Sequence, residues 1–230
     1  MKAQLIVALD VPGKAEAVAV LDRLPAAVSI FKVGLELFCA AGPGVLDPFH
    51  ARQKKIFLDL KLHDIPRTVE RAVQAAARHG VFMLTVHASG GAAMLRAAAE
   101  AARALGAQAP KIVAVTVLTS LNQQDLIDVG VQRTPGDQVL ALARLALAAG
   151  VDGLVCSAQE VAALRQTLGP QPLLVTPGIR LPTDDIGDQK RVATPAAACR
   201  AGANYLVVGR PILESDDPAA AARRILQDIS

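Results

Sequence analysis

The chain has 230 residues, 52% of them apolar, and a formal net charge of +3. Because this length is near the roughly 250 residues of a typical (β/α)8 barrel, we expect one domain over residues 1–230. The mild charge, without runs of like charge, and the small aromatic content of five Phe, one Tyr and no Trp argue against a nucleic-acid partner.

The cysteines and the N-terminal segment indicate the compartment. Cys39, Cys156 and Cys199 are odd in number and show no CxxC spacing, so they predict buried free thiols rather than disulfides or a zinc site. The short apolar run that ends at Asp10 is typical of a first strand and not of a signal peptide. No window approaches the roughly 18 uninterrupted apolar residues of a membrane span. We therefore expect a cytoplasmic protein without a membrane partner.

Short apolar runs alternate with longer Ala-rich segments of helical period along the whole chain. The runs predicted as strands are 4–9, 29–33, 55–60, 82–87, 112–118, 153–156, 173–176 and 205–208. The segments predicted as helices are 14–24, 34–52, 65–79, 91–105, 123–149, 158–168, 195–201 and 218–229. Eight successive βα units predict a parallel sheet, and the nearly continuous Val/Ile/Leu strands indicate that both of its faces are covered.

A closed (β/α)8 TIM barrel of the α/β class is favoured over an open, doubly wound sheet. No GxGxxG sequence follows the first strand, where Asp10-Val11-Pro12-Gly13 stands instead. Two connecting segments, 121–135 and 181–191, are longer than βα connections usually are. Long loops at the mouth of a barrel are typical of lids over an active site.

Polar residues cluster at the predicted C-terminal ends of the strands, where barrels of this kind carry their functional groups. These residues are Asp10, Lys32, Asp59, Lys61, Asp64, His87, Thr119, Ser120, Gly178, Arg180, Gly209 and Arg210. Taken singly, a charge at a strand end is more often solvated than catalytic. Several charges on neighbouring strands indicate a functional site.

The third strand carries an alternating pair of charges. Asp59 and Lys61 share one face of a regular strand, while the intervening leucines share the other. Lys32 lies inside the second strand, where a buried ammonium needs a carboxylate partner, and Asp59 on the neighbouring strand is the natural one. Opposite charges a few Å apart favour the charged forms, so the sequence predicts a rigid charge array.

A metal site is the rival interpretation of Asp59, His63 and Asp64. Lys61 lies between the two carboxylates and would compete with a cation for the same oxygens, so we expect no metal.

Four residues near the strand ends have simpler structural interpretations. His63 and His87 are expected to form structural hydrogen bonds. Ser89 has no GxSxG context and is expected to be the N-cap of the next helix rather than a nucleophile. Cys156 is expected to be a core residue.

Two Gly-Arg elements indicate a phosphate site. Pro177-Gly178-Ile179-Arg180 follows the seventh predicted strand, and Gly209-Arg210-Pro211 follows the eighth. Barrels of this type commonly bind phosphate there. Glycine lets backbone N–H groups approach phosphate oxygens, and arginine adds bidentate charge-assisted bonds.

Seven segments that span the chain in order resemble the orotidine 5'-phosphate decarboxylase family of the bacterial type. They are Val7-Ala8-Leu9-Asp10, Phe31-Lys32-Val33-Gly34, Asp59-Leu60-Lys61-Leu62-His63-Asp64-Ile65-Pro66-Arg67-Thr68, Val86-His87-Ala88-Ser89-Gly90-Gly91, Val115-Thr116-Val117-Leu118-Thr119-Ser120, Pro177-Gly178-Ile179-Arg180 and Val207-Val208-Gly209-Arg210-Pro211. The DxKxxD element is shared with related phosphosugar barrels. Followed by Ile-Pro-x-Thr and joined to the other segments, it is specific.

The resemblance implies decarboxylation of orotidine 5'-monophosphate (OMP) to UMP in pyrimidine biosynthesis, without cofactor or metal. It makes Lys61 the proton donor to C6 of the pyrimidine and sets Asp59 against the departing carboxylate. Lys32 would hold Asp59 and a ribose hydroxyl, and Asp10 would bind ribose.

The resemblance also implies a homodimer with active sites at the subunit interface. Asp64, together with Ile65 and Thr68, would reach into the partner's site. The remaining implied substrate-binding residues are Thr119 and Ser120 for the pyrimidine, and Pro177, Arg180, Gln189, Gly209 and Arg210 around the phosphate.

Two alternatives stay open. The first is a metal-dependent phosphosugar decarboxylase or aldolase of the same barrel group. The second is a non-catalytic barrel that binds a phosphate ligand.

Overall fold

Eight parallel strands form a closed barrel in the computed structural model, which describes residues 3–181 and 193–229. The strands in these residues are β1 (Gln4–Ala8), β2 (Ile30–Gly34), β3 (Lys55–Leu62), β4 (Met83–His87), β5 (Lys111–Val115), β6 (Gly153–Val155), β7 (Leu173–Thr176) and β8 (Tyr205–Val208). Each strand pairs with the next along the chain, and β8 pairs with β1. The predicted (β/α)8 barrel is confirmed.

Helices follow the strands around the outside of the barrel. In the described residues they are α1 (Lys14–Arg23), α2 (Leu35–Ala41), α3 (Asp47–Ala51), α4 (Pro66–Arg78), α5 (Gly91–Arg103), α6 (Gln123–Asp128), α7 (Pro135–Ala148), α8 (Ala158–Leu168), α9 (Pro195–Ala201), α10 (Arg210–Leu213) and α11 (Pro218–Asp228). None of the helices described is long and apolar enough to cross a membrane.

Two helices predicted as continuous are broken, and the prediction was wrong there. The segment 34–52 divides into α2, a 3-10 helix (Pro43–Leu46) and α3, because Gly42 adopts a positive φ of 62° and a proline follows it. The segment 123–149 divides into α6 and α7. Gly130, at φ 83°, follows the first helix, and Pro135 begins the second after the Thr134 cap.

Alternate strand residues pack into two separate apolar clusters. The cluster inside the barrel contains Ile6, Ala8, Ile30, Phe57, Met83, Val113, Val175, Tyr205 and Val207. The larger cluster lies between the strands and the helices, where α4 contributes a stripe of buried residues, Val69, Val73 and Ala76. Side chains therefore fill the interior of the barrel. Later residues of β1, β2 and β3 on the same inward face lie at the carboxyl end of the barrel, which is open.

The three cysteines are free thiols, as expected, but they are not all buried. Cys156 is buried at the end of β6, whereas Cys39 is exposed and Cys199 is partly buried. The expectation of three buried thiols was wrong for Cys39, because α2 buries Leu37 and leaves the cysteine on its outer face.

Candidate active site

A cavity of about 300 Å³ opens at the carboxyl ends of the strands. This volume is at the lower end of the range for small-molecule sites. The predicted site residues in its walls are Asp10, Lys32, Asp59, Lys61, Thr119, Ser120, Pro177, Arg180, Gly209 and Arg210. The barrel thus brings together most of the polar strand ends that the sequence singled out, although they span 200 positions of the chain.

Asp59 is the centre of an alternating charge array. The Lys61 ammonium donates to both carboxylate oxygens of Asp59, at 3.0 Å each. Lys32 Nζ lies 3.7 Å from Asp59 Oδ2 and donates to Asp10 Oδ1 at 2.9 Å. The predicted pairing of Lys32 with Asp59 is confirmed, and Asp10 is the closer partner of this lysine.

The array runs from solvent into the barrel. The side chain of Asp10 is 59% exposed, whereas those of Lys32 and Asp59 are 12% and 11% exposed. Alternation of sign is what allows the inner charges to be buried, since an unpaired ion at this depth would cost several kcal/mol. The four groups therefore form a preorganised set of fixed charges, which we call the charge array (Asp10, Lys32, Asp59 and Lys61).

Lys61 reaches Asp59 from an irregular part of β3. Leu58 pairs with Leu84 of β4, and the next pair is Leu62 with Val86. Between these two pairs the chain advances four residues along β3 but only two along β4. Lys61 has a positive φ of 49°, a conformation that costs a non-glycine residue roughly 1 kcal/mol. The strand expected to end at residue 60 thus continues to Leu62 through a bulge, which re-aims a side chain.

Thr85, which lies beside this bulge, was not among the residues predicted for the site. Thr85 is fully buried on β4. Its hydroxyl accepts a hydrogen bond from the Lys61 backbone N–H at 2.8 Å and donates to Asp59 Oδ1 at 3.0 Å. The alternation of side chains along a strand could have predicted this position, because Thr85 lies two residues after Met83 and therefore shares its inward face.

Asp64, Ile65 and Thr68 do not line the cavity as described within one chain. All three are exposed, Ile65 at 67%. Asp64 Oδ1 accepts a hydrogen bond from the Ile65 N–H at 2.6 Å, just before α4 begins at Pro66. These residues therefore lie outside the walls of their own chain's cavity and are open to solvent.

The predicted phosphate residues reach the cavity from the segments that follow β7 and β8. Gly178 adopts a positive φ of 75°, which favours glycine. A Cβ on Gly209 would lie 3.3 Å from Asp10 Oδ2, so this backbone passes close to the end of β1. Arg180, 8% exposed, and Arg210 at the start of α10 add two guanidinium groups to the wall. Gln189 lies outside the described residues.

Several apolar residues also line the cavity, and we call them the apolar wall. It is formed by Phe57, Val115, Val117, Leu118, Val155, Cys156 and Val207. Cys156, predicted as a core residue, is 1% exposed and also contributes to this wall. β5 ends at Val115, three residues earlier than predicted, and the following turn carries Thr119 and Ser120 to the cavity.

His63 and His87 stack beside Lys61. Their ring centroids are 5.4 Å apart, and Ser89 Oγ lies within hydrogen-bonding distance of His87 Nδ1, at 2.7 Å. Burial, and then the positive charges of His63 and Lys61, lower the pKa of His87. The structural hydrogen bond expected for His87 is confirmed. The N-cap predicted for Ser89 was wrong, because a 3-10 helix (Ala88–Gly90) intervenes and Gly90 precedes α5.

The family model described as "Orotidine 5'-phosphate decarboxylase / HUMPS family" matches residues 3–225. The chain belongs to this family. Its resemblance to the orotidine 5'-phosphate decarboxylase family, expected from the seven segments, is thereby confirmed. Family membership makes the chain a decarboxylase and supports decarboxylation of OMP in pyrimidine biosynthesis as its reaction.

Relatives in this family match over nearly the full length. The orotidine 5'-phosphate decarboxylase of Moorella thermoacetica is 52% identical over an alignment of 233 positions, which covers 99% of this chain and 92% of the relative. The enzyme of the same name from Haemophilus influenzae is 49% identical, with 98% of each chain covered. The crystal structure of orotidine 5'-phosphate decarboxylase from Lactobacillus acidophilus is similar at a TM-score of 0.88 and 39% identity, with 99% of each chain covered.

Proposed function

We propose that the protein converts OMP to UMP and CO2, without cofactor or metal, and that the charge array performs the chemistry. The observation that carries the proposal is the pairing of Lys61 Nζ with both oxygens of the buried Asp59 in a cavity that also holds Arg180 and Arg210. Such a cavity offers both a fixed ammonium and groups that can bind phosphate.

The reaction requires fixed positive charge at C6 of the pyrimidine. When the bond from C6 to the carboxylate breaks, CO2 leaves and the electron pair remains on C6, with no adjacent electron sink. Preorganised charge stabilises such a carbanion because it needs no reorganisation during the reaction. The Lys61 ammonium supplies that charge and then transfers a proton to C6, which yields UMP.

The other members of the charge array orient the reacting groups. Asp59 holds the Lys61 ammonium and faces the substrate carboxylate, so that their repulsion is relieved as CO2 departs. Lys32 holds Asp59 and contacts a ribose hydroxyl, and Asp10 binds ribose at the solvent end of the array. The apolar wall and the hydroxyls of Thr119 and Ser120 receive the pyrimidine.

Phosphate binding contributes energy at a distance from C6. Arg180, Gly209 and Arg210 surround the proposed phosphate position with Pro177, and Gln189 is the fifth residue assigned to this role. Binding energy from a non-reacting part of a substrate can organise the reacting end, and it thereby raises kcat as well as affinity.

We further propose a homodimer in which each active site is completed by the other chain. Asp64, Ile65 and Thr68 are exposed in one chain, outside the walls of its cavity. Burial of Ile65 against a second copy would remove an apolar side chain that is 67% exposed from water. Asp64 would then extend the charge array of the partner site.

An OMP absorbance assay tests the proposed reaction. Lys61→Ala should lower turnover by about a thousandfold or more, because the variant loses both the proton donor and the fixed charge. Lys55→Ala is the matched control, since this exposed lysine begins the same strand at the opposite end of the barrel. Near-normal turnover in Lys61→Ala would contradict the assignment.

The same assay separates the alternatives. Activity should survive excess EDTA, and loss of activity that Mg²⁺ restores would instead favour the metal-dependent phosphosugar enzyme. A protein that binds UMP but leaves OMP unchanged would favour the non-catalytic phosphate-binding barrel.

A further inference from the structure

We propose that Thr85 is a positioning residue that sets the place of the Lys61 ammonium. This inference rests on the proposed function, since it concerns the proton donor of that reaction. It is carried by one buried hydroxyl on β4 that contacts both the backbone of Lys61 and the carboxylate to which the Lys61 side chain is bound.

The backbone end of Lys61 depends on this hydroxyl. The ladder between β3 and β4 is irregular from Leu58 to Leu62, and Lys61 adopts a positive φ of 49° within it. The Lys61 N–H donates to Thr85 Oγ1 at 2.8 Å instead of to a strand carbonyl. The side-chain oxygen therefore stabilises a backbone conformation that a lysine rarely adopts.

The charged end of Lys61 depends on the same hydroxyl through Asp59. Thr85 Oγ1 donates its one hydrogen to Asp59 Oδ1 at 3.0 Å, and Lys61 Nζ donates to that oxygen and to Oδ2. A hydroxyl has one donor and two acceptor positions, so these two contacts are compatible. Thr85, Asp59 and Lys61 thus form a closed ring of hydrogen bonds.

Loss of the hydroxyl should release both ends of Lys61. Valine has the shape and the β-branching of threonine, so Thr85→Val preserves packing and strand propensity while it removes the oxygen. The Lys61 N–H would then be buried without a partner, and Asp59 would lose one of its donors. Serine at this position would restore the oxygen without the methyl group.

Steady-state kinetics with OMP distinguish positioning from general support of the fold. Thr85→Val should lower kcat about tenfold or more while the affinity for UMP changes less than about threefold, because product binding does not need the proton donor in place. Thr85→Ser should recover kcat to within about threefold of the unmodified protein, since it restores the hydrogen bonds. If valine is not accommodated, Thr85→Ala removes the same hydroxyl.

The matched control is Thr116→Val. Thr116 is 2% exposed, and its hydroxyl donates to the backbone carbonyl of Val155 at 2.9 Å rather than to a member of the charge array. This variant loses the hydrogen bond of another buried threonine hydroxyl through the same substitution, but kcat should stay within about threefold. Equal loss of kcat in the two valine variants would overturn the proposal, as would a kcat within threefold in Thr85→Val.

Hydrogen exchange at the Lys61 amide tests the positioning without reference to turnover. Exchange should be faster in Thr85→Val and close to normal in Thr85→Ser. Unchanged protection in Thr85→Val would overturn the inference. If the unmodified protein left OMP unchanged while Lys61 protection still depended on Thr85, the proposed function would fail and the positioning would stand.

Discussion

Asp59 and Asp64 are five positions apart on one strand-to-helix segment, but their surroundings are opposite. Asp59 is buried and receives hydrogen bonds from Lys61 and Thr85, with Lys32 at 3.7 Å. Asp64 is exposed and accepts a hydrogen bond from the N–H of the residue that follows it.

In the proposed dimer, this difference would give one segment two roles. The side chain of Asp59 is directed into the barrel, so its neighbours come from the same chain. Asp64 lies beyond the end of β3, where the chain turns outward to begin α4. The four groups that one chain supplies to its own charge array are therefore followed by residues that, in the proposed dimer, would reach the array of the partner.

The strongest test of this comparison replaces each carboxylate by an amide. Asp59→Asn should lower kcat by about a thousandfold and destabilise the chain by roughly 1–3 kcal/mol, because two lysines lose a buried counter-charge. Asp64→Asn should lower kcat while the free energy of unfolding changes by less than about 0.5 kcal/mol. Turnover and urea denaturation measure the two effects, and equal destabilisation by both variants would break the comparison.

Mixed dimers test whether Asp64 serves the partner's site. Lys61→Ala and Asp64→Ala chains are each expected to be inactive alone. In a heterodimer, one site combines both substitutions and the other has neither, so activity should return to about half that of the unmodified dimer. Sedimentation verifies the dimer, and absence of recovery in purified heterodimers would contradict shared sites.

A smaller effect is expected from Gly34→Ala at the outer part of the charge array. A Cβ on Gly34 would lie 2.9 Å from Lys32 Nζ and 3.7 Å from Asp10 Oδ1, so the ammonium must shift. We expect kcat/KM to fall about tenfold, since misplacement of a positioned charge is costly. Gly136→Ala is the control, because a Cβ there meets nothing within 4 Å. Equal kcat/KM in the two variants would show that Lys32 tolerates the shift.

The smallest effect concerns His87 and pH. Because its pKa is lowered in the folded chain, the unfolded chain binds the proton first, and stability should fall as pH drops below the ordinary value of 6.5. Above that value His87 is neutral in both the folded and the unfolded chain, so this loss of stability is absent. Urea denaturation between pH 5 and pH 8 should show a weaker pH dependence in His87→Gln than in the unmodified protein. His79→Gln is the control for an exposed histidine, and an unchanged pH dependence in His87→Gln would contradict this origin.

Much of this architecture could be predicted from local patterns. The strands β7 and β8 and the helices α8 and α9 have the predicted bounds, because apolar runs with clear period leave few alternative structures. Helices were overextended at Gly42 and Gly130, where a positive φ interrupts a pattern that otherwise continues. Several charged strand ends could also be predicted, since burial of a charge in an apolar run requires a partner.

The residue types and their order along the chain already specify a parallel barrel, a row of polar strand ends, and lysines alternating with aspartates. Tertiary structure decides which of these groups meet. Closure of β1 to β8 brings Arg210 to the cavity that holds Asp10, and the bulge in β3 lets Lys61 reach both oxygens of Asp59. Thr85 shows the reason: a hydrogen bond across 24 positions depends on strand register, which local sequence does not encode.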